Sequence, residues 1–195
     1  MRNDIKKALL EGYKALDNLI HNEKALDQIE LAIETLVTTF KHQGRVFSCG
    51  NGGSMCDAMH FAQELSGRYR QDRPALAATA ISDVTYLTCV GNDYGYEYSF
   101  SRFLEGHGRK NDTLLAISTS GKSPNILRAI HTARTLDMKI IALTGHDDCP
   151  IAPLVDVHIA TPSGQPYADR VQELHIKCIH IMIAGIERQL FGKEA

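Results

Sequence analysis

Apolar residues at the start of the chain recur at the spacing of one helical face. The pattern predicts two amphipathic helices, over residues 4–20 and 23–42. Gly44 ends the second helix, as glycine commonly does just past a helix C-terminus. We therefore expect the chain to begin with a pair of helices. The apolar positions of the second helix are Leu26, Ile29, Ile33, Leu36, Val37 and Phe40.

Beyond Gly44 the pattern changes to short apolar segments that alternate with helical ones. Five short strands separated by helices are typical of a parallel sheet with both faces covered. The sequence therefore predicts an α/β fold, a three-layer αβα sandwich built on a five-stranded parallel sheet. The predicted strands are 46–49, 76–81, 114–117, 139–143 and 156–160, and the predicted helices are about 54–67, a short one to 91, one to 136 and about 166–190.

The last predicted helix is apolar almost all round. Such a helix is buried, either in the core of its own subunit or against a partner chain. Together with the N-terminal helical pair, this favours a homo-oligomer in which helices pack between subunits. Both features could instead pack within one subunit. The apolar residues of this helix are Leu174, Ile176, Cys178, Ile179, Ile181, Met182, Ile183 and Ile186.

Composition narrows the class of protein. A length of 195 residues fits one domain over 1–195, with residues 1–43 contributing to oligomer packing and 44–195 forming the α/β core and C-terminal helix. The net charge of −2 argues against nucleic-acid binding, and no apolar run is long enough for a membrane span. The first ten residues do not resemble a secretory signal, and the five cysteines include no C-x-x-C pair. We expect a cytoplasmic protein without disulfides.

Two loops have the composition of anion sites. Residues 50–54, GNGGS, and residues 118–123, STSGKS, each join a predicted strand to a predicted helix. Free amides and the positive end of the helix dipole make such places suitable for phosphate. Both loops could also be ordinary turns with capping residues. The second loop resembles a nucleotide-binding P-loop, but Ala116 replaces its first glycine, so an NTPase is the weaker interpretation.

Candidate catalytic residues lie on two helices. His60 and Glu64 are four residues apart, so they project from one face of the helix that follows the GNGGS loop. On the last helix, Asp169, Gln172 and His180 form a second polar stripe. The two stripes could face each other across a site. A histidine and a carboxylate at helical spacing can bind one metal ion, although either histidine alone could be a satisfied core residue.

A carboxylate and a histidine beside a phosphate site suit proton transfer on a sugar phosphate. Interconversion of a ketose and an aldose passes through an enediolate and needs a base, a group that stabilises the oxygens and a phosphate anchor. A metal ion held by His60, Glu64, Gln172 and His180 could polarise those oxygens as a Lewis acid.

Four stretches of the chain together resemble the phosphoheptose isomerase family of the sugar isomerase (SIS) domain superfamily. The resemblance covers nearly the whole chain, whereas the S-T-S-G loop alone marks only the wider superfamily. The stretches are SCGNGGSMCDAMHFAQELSGRYR at 48–70, AISDVTYLTCVGNDYG at 80–95, LLAISTSGKSPNILRAI at 114–130 and YADRVQELHIKCIHIMI at 167–183.

The resemblance implies a flavodoxin-like sheet and a homotetramer with active sites at subunit junctions. The implied reaction converts sedoheptulose 7-phosphate to D-glycero-D-manno-heptose 7-phosphate, the entry step to the bacterial heptose of lipopolysaccharide. Glu64 matches the family's general base and His180 its acid/base partner. One zinc ion per subunit is implied at His60, Glu64, Gln172 and His180. The implied substrate-binding residues are Asn51, Gly52, Gly53, Ser54, Glu64, Arg68, Asn92, Asp93, Ser118, Thr119, Ser120, Ser123, Asp169 and Gln172.

A relative in the same superfamily suggests a non-catalytic alternative. The DnaA initiator-associating protein has nearly the same length and fold but acts as a tetrameric protein-binding module. It lacks the acid that corresponds to Glu64. Because this chain has Glu64 together with His60, Gln172 and His180, the resemblance favours the enzyme.

Overall fold

A five-stranded parallel sheet forms the centre of the molecule, in the strand order β2-β1-β3-β4-β5. The computed structural model describes residues 1–162, 164 and 167–192. This order is that of a flavodoxin-like sheet, and its direction of winding reverses between β1 and β3. The strands are β1 Val46–Gly50, β2 Ala78–Ala80, β3 Thr113–Ser118, β4 Lys139–Thr144 and β5 Val157–Ala160.

The strands agree with the predicted ones to within a few residues at each end. β1 and β3 are buried at every position, because helices cover both faces of the sheet. The edge strand β2 is shorter than the predicted segment 76–81. The Leu76 amide donates to the Leu65 carbonyl at 3.0 Å, so this residue lies outside the strand pairing.

Seven helices surround the sheet in the part of the chain that the structure describes. The short helix α5 was absent from the sequence prediction, because its seven residues carry too few apolar positions to show a period. The predicted start of the last helix at Pro166 lies outside the described residues. The helices are α1 Arg2–Ile20, α2 Glu23–Lys41, α3 Gly53–Ser66, α4 Val84–Asp93, α5 Ser101–His107, α6 Pro124–Thr135 and α7 Ala168–Phe191.

Two hydrophobic clusters, one on each face of the sheet, confirm the three-layer αβα architecture. The first cluster packs α2, α3 and α7 against the sheet, and the second packs α5 and α6 with part of α4 on the opposite face. Each cluster contains alternate residues of the strands; Leu115 belongs to the first and Leu114 to the second.

No described helix is long and apolar enough to cross a membrane.

The last helix is covered largely within one chain. Leu174, Ile179 and Ile183 of α7 are buried between the sheet and the N-terminal helices. Packing within one subunit therefore explains the burial of most apolar side chains of this helix, without a partner chain. Helix α1 is different, because one of its faces carries exposed apolar side chains. These are Ile5, Leu9, Leu10, Tyr13 and Ile20.

A buried arginine joins the end of α3 to α7. The Arg73 side chain is 2% exposed, and its Nε lies 2.8 Å from Oε1 of Glu187. Its remaining nitrogens donate to the Glu64 and Leu65 carbonyls, both at 2.6 Å. These carbonyls belong to the last turn of α3, where no intrahelical donor is available. Arg73 therefore caps α3 and fixes its end against α7.

We expect Arg73→Met to lower the free energy of unfolding by about 3–5 kcal/mol, because it leaves the Glu187 carboxylate buried without its cation. Urea denaturation of the purified variant measures this loss. Arg134→Met is the matched control, since the Arg134 side chain is 50% exposed in its ion pair with Asp156. Its expected loss is within about 1 kcal/mol. Equal losses in the two variants would contradict the role given to Arg73.

Candidate active site

The strand order brings the two glycine- and serine-rich loops together. The GNGGS loop follows β1 and the STSGKS loop follows β3, and these two strands are neighbours in the sheet. Because parallel strands end at the same edge, both loops lie side by side at the point where the winding reverses. Helix α3 begins within the first loop, at Gly53, and α6 begins directly after the second, at Pro124. Two helix N-termini, each the positive end of a helix dipole, therefore converge on one region.

Close packing explains the glycines of the first loop. A Cβ at Gly50 would lie 2.4 Å from the Ser54 carbonyl oxygen, and Gly52 has a φ of +55°. A Cβ at Gly53 would lie 2.2 Å from Nε2 of Gln172. Gly53 therefore lets the Gln172 side chain of α7 reach the first turn of α3. The loop is compact, and the Ser54 amide donates to the Asn51 carbonyl at 3.0 Å.

Internal contacts also fix the second loop. Oγ of Ser118 and Oγ of Ser123 are 3.2 Å apart, and the Lys122 amide donates to Oγ of Ser120 at 3.2 Å. The Thr119 carbonyl accepts from the Gly145 amide at 2.9 Å, which ties the loop to the end of β4. The loop thus presents several hydroxyl groups next to the start of α6. This arrangement suits an anion with many acceptor oxygens.

Helices α3 and α7 bring three of the candidate catalytic residues together. Nε2 of His60 lies 3.0 Å from Nε2 of His180, and 3.5 Å from Oε1 of Glu64. The Glu64 side chain is 15% exposed and that of His60 is 38% exposed, so the cluster is reachable from solvent. The Tyr69 ring stacks on His180 with centroids 5.9 Å apart.

Partial burial shifts the protonation of two groups in this region. Burial lowers the pKa of His180, and the adjacent His60 lowers it further. Burial also raises the pKa of Asp57 to about 6, against the opposing effect of His60. Oδ2 of Asp57 is buried without a hydrogen-bond partner in the described structure. The lowered pKa favours the neutral imidazole of His180, against the opposing effect of Glu64, and this is the form that can bind a metal or accept a proton.

Gln172 lies apart from the histidine pair within one chain. It contacts α3 at Gly53, whereas His180 contacts α3 at His60. Seven residues separate these two points of α3 in the sequence, which corresponds to roughly 10 Å along a helix. Asp169, at the start of α7, is exposed, and its Oδ2 accepts from Arg170 at 3.2 Å.

The donor chemistry of the histidine pair fits zinc. Two imidazole nitrogens and a carboxylate oxygen are ordinary zinc ligands, and nitrogens bound to one tetrahedral zinc lie about 3.3 Å apart. The observed separation of 3.0 Å is close to this value. Within the described ranges, however, no three His, Cys, Asp or Glu side chains converge fully on one point. The zinc ligands therefore stay a prediction.

Three further predicted site residues are exposed at the ends of helices. Arg68 follows the end of α3, and Asn92 and Asp93 form the end of α4. Nδ2 of Asn92 donates to Oδ1 of Asp93 at 2.9 Å. Among the described residues, no hydrogen bond or ion pair joins these three to Glu64 or His180. Their role in substrate binding stays a prediction.

Three residues near the site were not predicted from the sequence. Asn125 and Tyr96 both contact Asn51, and Tyr69 stacks on His180. The position of Asn125, directly after the proline that begins α6, could have marked it as a residue near the second loop. Tyr96 and Tyr69 lie near the site only because of how the chain folds, and no sequence pattern marks them. His175 of α7 lies away from this cluster and is fully buried, and burial lowers its pKa to about 4.

Comparison with known proteins shows similarity over nearly the whole chain. The family model of the SIS domain matches residues 13–145. The phosphoheptose isomerase of Aeromonas hydrophila is 53% identical over 186 residues, which cover 95% of this chain and 96% of that protein. The phosphoheptose isomerase of Klebsiella pneumoniae is 52% identical over 95% of this chain and 96% of its own.

Solved structures agree with these sequence relatives. The phosphoheptose isomerase of Neisseria gonorrhoeae matches with a TM-score of 0.88 and 36% identity, over 95% of this chain and 98% of that one. The phosphoheptose isomerase of Francisella tularensis matches with a TM-score of 0.89 and 31% identity, over 95% and 97% of the two chains. The resemblance read from the four sequence motifs is thus confirmed, and the chain belongs to the phosphoheptose isomerase family of SIS domain proteins.

Proposed function

We propose that this enzyme converts sedoheptulose 7-phosphate to D-glycero-D-manno-heptose 7-phosphate. The observation that carries the proposal is the position of Glu64, whose carboxylate lies 3.5 Å from His60 on the helix that follows the GNGGS loop. A base is thus built into the same helix whose N-terminus can hold a phosphate. The full-length similarity to phosphoheptose isomerases supports the same activity.

The two loops provide the phosphate anchor of the proposed reaction. The hydroxyls of Ser118, Ser120 and Ser123 can donate to phosphate oxygens, and the positive ends of the α3 and α6 dipoles lie beside them. Neither loop needs a lysine for this, because the helix dipoles favour an anion at both places. An anchored phosphate fixes the sugar carbons relative to the protein, which turns proton transfer into a step between positioned groups.

Glu64 and His180 carry the proton transfers in this proposal. The Glu64 carboxylate removes the proton from C1 of the ketose, and the C–H electron pair becomes the C1–C2 double bond of an enediolate. The charge then lies on O2. Return of the proton from Glu64 to C2, with transfer of the O1 hydroxyl proton to O2, leaves an aldehyde at C1. His180 is adjacent, and when its Nε2 is not bound to a metal it can accept and return the oxygen-bound proton.

Zinc at His60, Glu64, Gln172 and His180 is part of the proposal. The nitrogen and oxygen donors at the His60–His180 pair support it. When bound, the metal would supply a Lewis acid for the sugar oxygens. The fourth ligand, Gln172, contacts Gly53 in this chain and therefore has to come from a rearranged side chain or from another subunit.

A homotetramer with active sites at subunit junctions completes the proposal. Helix α1 exposes Leu9 to 69% and Tyr13 to 68%, one helical turn apart. Large apolar side chains grouped on one face mark an interaction surface. The separation of Gln172 from the histidine pair gives a second reason for a site shared between subunits. The cytoplasmic location stays a prediction from the sequence.

The binding-module alternative finds no support in the site. A purely structural relative has no need for a carboxylate in the position of Glu64, yet here that group lies beside two histidines in a cluster open to solvent. Buried and half-buried charged groups cost stability unless they serve a function or find partners. The enzyme interpretation therefore accounts for more of the observed geometry.

We expect wild-type protein to isomerise sedoheptulose 7-phosphate and Glu64→Gln to lower kcat by roughly 10²–10⁴-fold, because the amide cannot accept the proton. Binding of the sugar phosphate should persist in the variant, since the phosphate loops are unchanged. A coupled assay and isothermal titration calorimetry measure the two properties. Glu30→Gln, an exposed change on α2, is the control. Unchanged turnover in Glu64→Gln would refute its role as base.

We expect purified protein to contain zinc, and His60→Ala to reduce the bound zinc severalfold, because one imidazole ligand is lost. Inductively coupled plasma mass spectrometry after dialysis gives the zinc content per chain. His42→Ala is the matched control, since the side chain of this exposed histidine, directly after α2, bonds only to the Thr38 carbonyl in the described structure. Equal zinc content in both variants would place the ligands elsewhere.

We expect light scattering to give the mass of four chains of 21.6 kDa each. Leu9→Glu with Tyr13→Glu should dissociate the tetramer, because two charges would then face an apolar interface. Lys7→Glu, also exposed on α1, is the control for altered charge. A wild-type protein with the mass of one chain would refute the assembly.

A further inference from the structure

A reciprocal pair of side-chain amides, one buried and one half-buried, joins the two phosphate loops. Nδ2 of Asn51 donates to Oδ1 of Asn125 at 2.9 Å, and Nδ2 of Asn125 donates back to Oδ1 of Asn51 at 2.8 Å. Asn51 belongs to the GNGGS loop, and Asn125 lies in the first turn of α6, directly after the STSGKS loop. Asn125 is 2% exposed. A reciprocal bond of this kind sets both the distance and the relative orientation of the loops.

Tyr96 adds a third member to this contact. Its hydroxyl donates to Oδ1 of Asn51 at 2.8 Å, on the same oxygen that accepts from Asn125. A side-chain amide offers two acceptor sites and two donors. Both acceptor sites of Asn51 and one of its donors are therefore occupied by protein. The Asn51 side chain has little capacity left for a substrate, so its contacts serve mainly to hold the loop.

The contact also forms part of the wall of an open cavity. This cavity of about 440 Å³ is bordered by Asn51, Tyr96, Glu97, Ser123, Pro124, Asn125 and Arg128, so its wall carries one carboxylate as well as one cation. Its volume is within the usual range of small-molecule sites. Ser123 belongs to the predicted phosphate loop, and Arg128 is an exposed cation on α6, the helix that follows this loop. The amide pair thus lies where a sugar phosphate would enter between the two loops.

We propose that Asn125 and Tyr96 are positioning residues that, through Asn51, hold the two loops at the separation one phosphate group requires. The inference rests on the proposed function, since the phosphate is that of the substrate. A phosphate shared by two helix N-termini binds well only if the amides are already in place before binding. Loops that drift apart would have to be reordered at the expense of affinity. The amide pair and the tyrosine remove that cost.

Tyr96→Phe is the first test, because it removes one hydrogen bond and leaves the ring. Tyr94→Phe is the matched control, since both tyrosines are 54% exposed. We expect Tyr96→Phe to raise the KM for sedoheptulose 7-phosphate and the inhibition constant of inorganic phosphate by about 2- to 10-fold each, the effect of one lost hydrogen bond. The kcat value should stay within about twofold, and the control should match wild type.

Asn125→Ala is the second test, because it removes both bonds of the amide pair. We expect kcat/KM to fall by about 10- to 100-fold, with the weaker phosphate binding accounting for most of the loss. Adding Tyr96→Phe to Asn125→Ala should cost less than it does in wild type, because both residues act through Asn51 and the contact is already broken. If Asn125→Ala does not fold, Tyr96→Phe decides the question by itself.

Two results would overturn the inference. A fall in kcat with unchanged phosphate inhibition in Tyr96→Phe would mean that the hydroxyl acts on the reacting atoms. Additive losses in the double variant would mean that the residues act independently. Calorimetry with inorganic phosphate separates this inference from the proposed function. Phosphate binding that weakens in the variants supports the inference even if wild type fails to isomerise sedoheptulose 7-phosphate, a failure that would refute only the function.

Discussion

The parallel pairing of β1 with β3 is the constraint on which the site depends. These strands are neighbours in the sheet but distant in the sequence, and both are buried along their whole length. Because they end at the same edge, the loops that follow them meet, and the helices that follow the loops direct two N-termini at one region. The Asn51–Asn125 pair then fixes the separation that the sheet sets only approximately.

The packing of α3 against α7 supplies the rest of the site. Three contacts follow each other along the two helices: Gly53 with Gln172, His60 with His180, and, beyond the end of α3, Arg73 with Glu187. The order of these contacts shows that the helices run in the same direction. The first contact is possible because residue 53 is a glycine. The second is between two imidazole rings, and the third is a buried ion pair. Glu64 lies between the second and third, so its backbone is held from both sides.

The accuracy of the sequence prediction followed the range of the interactions involved. Strands such as 114–117 and the amphipathic helix 23–42 were correct to within a residue or two, because burial imposes their apolar pattern locally. The predicted edge strand was too long, because the start of β2 depends on the bond from Leu76 to α3. Helix α5 was missed because its apolar residues show no clear period. The proximity of His60 and Glu64 was predictable because a spacing of four residues places them on one face of a helix.

The sequence by itself determined the fold class through the alternation of strands and helices along the chain. Short stretches of residues identified the two loops predicted to bind phosphate and the candidate base. The tertiary structure decided which of these groups meet. It brought His180 to His60 and placed Gln172 at Gly53, although both belong to the same helix. It also joined Asn51 to Asn125 and Tyr96. These contacts depend on how distant segments pack, and no local pattern of apolar and polar residues encodes them.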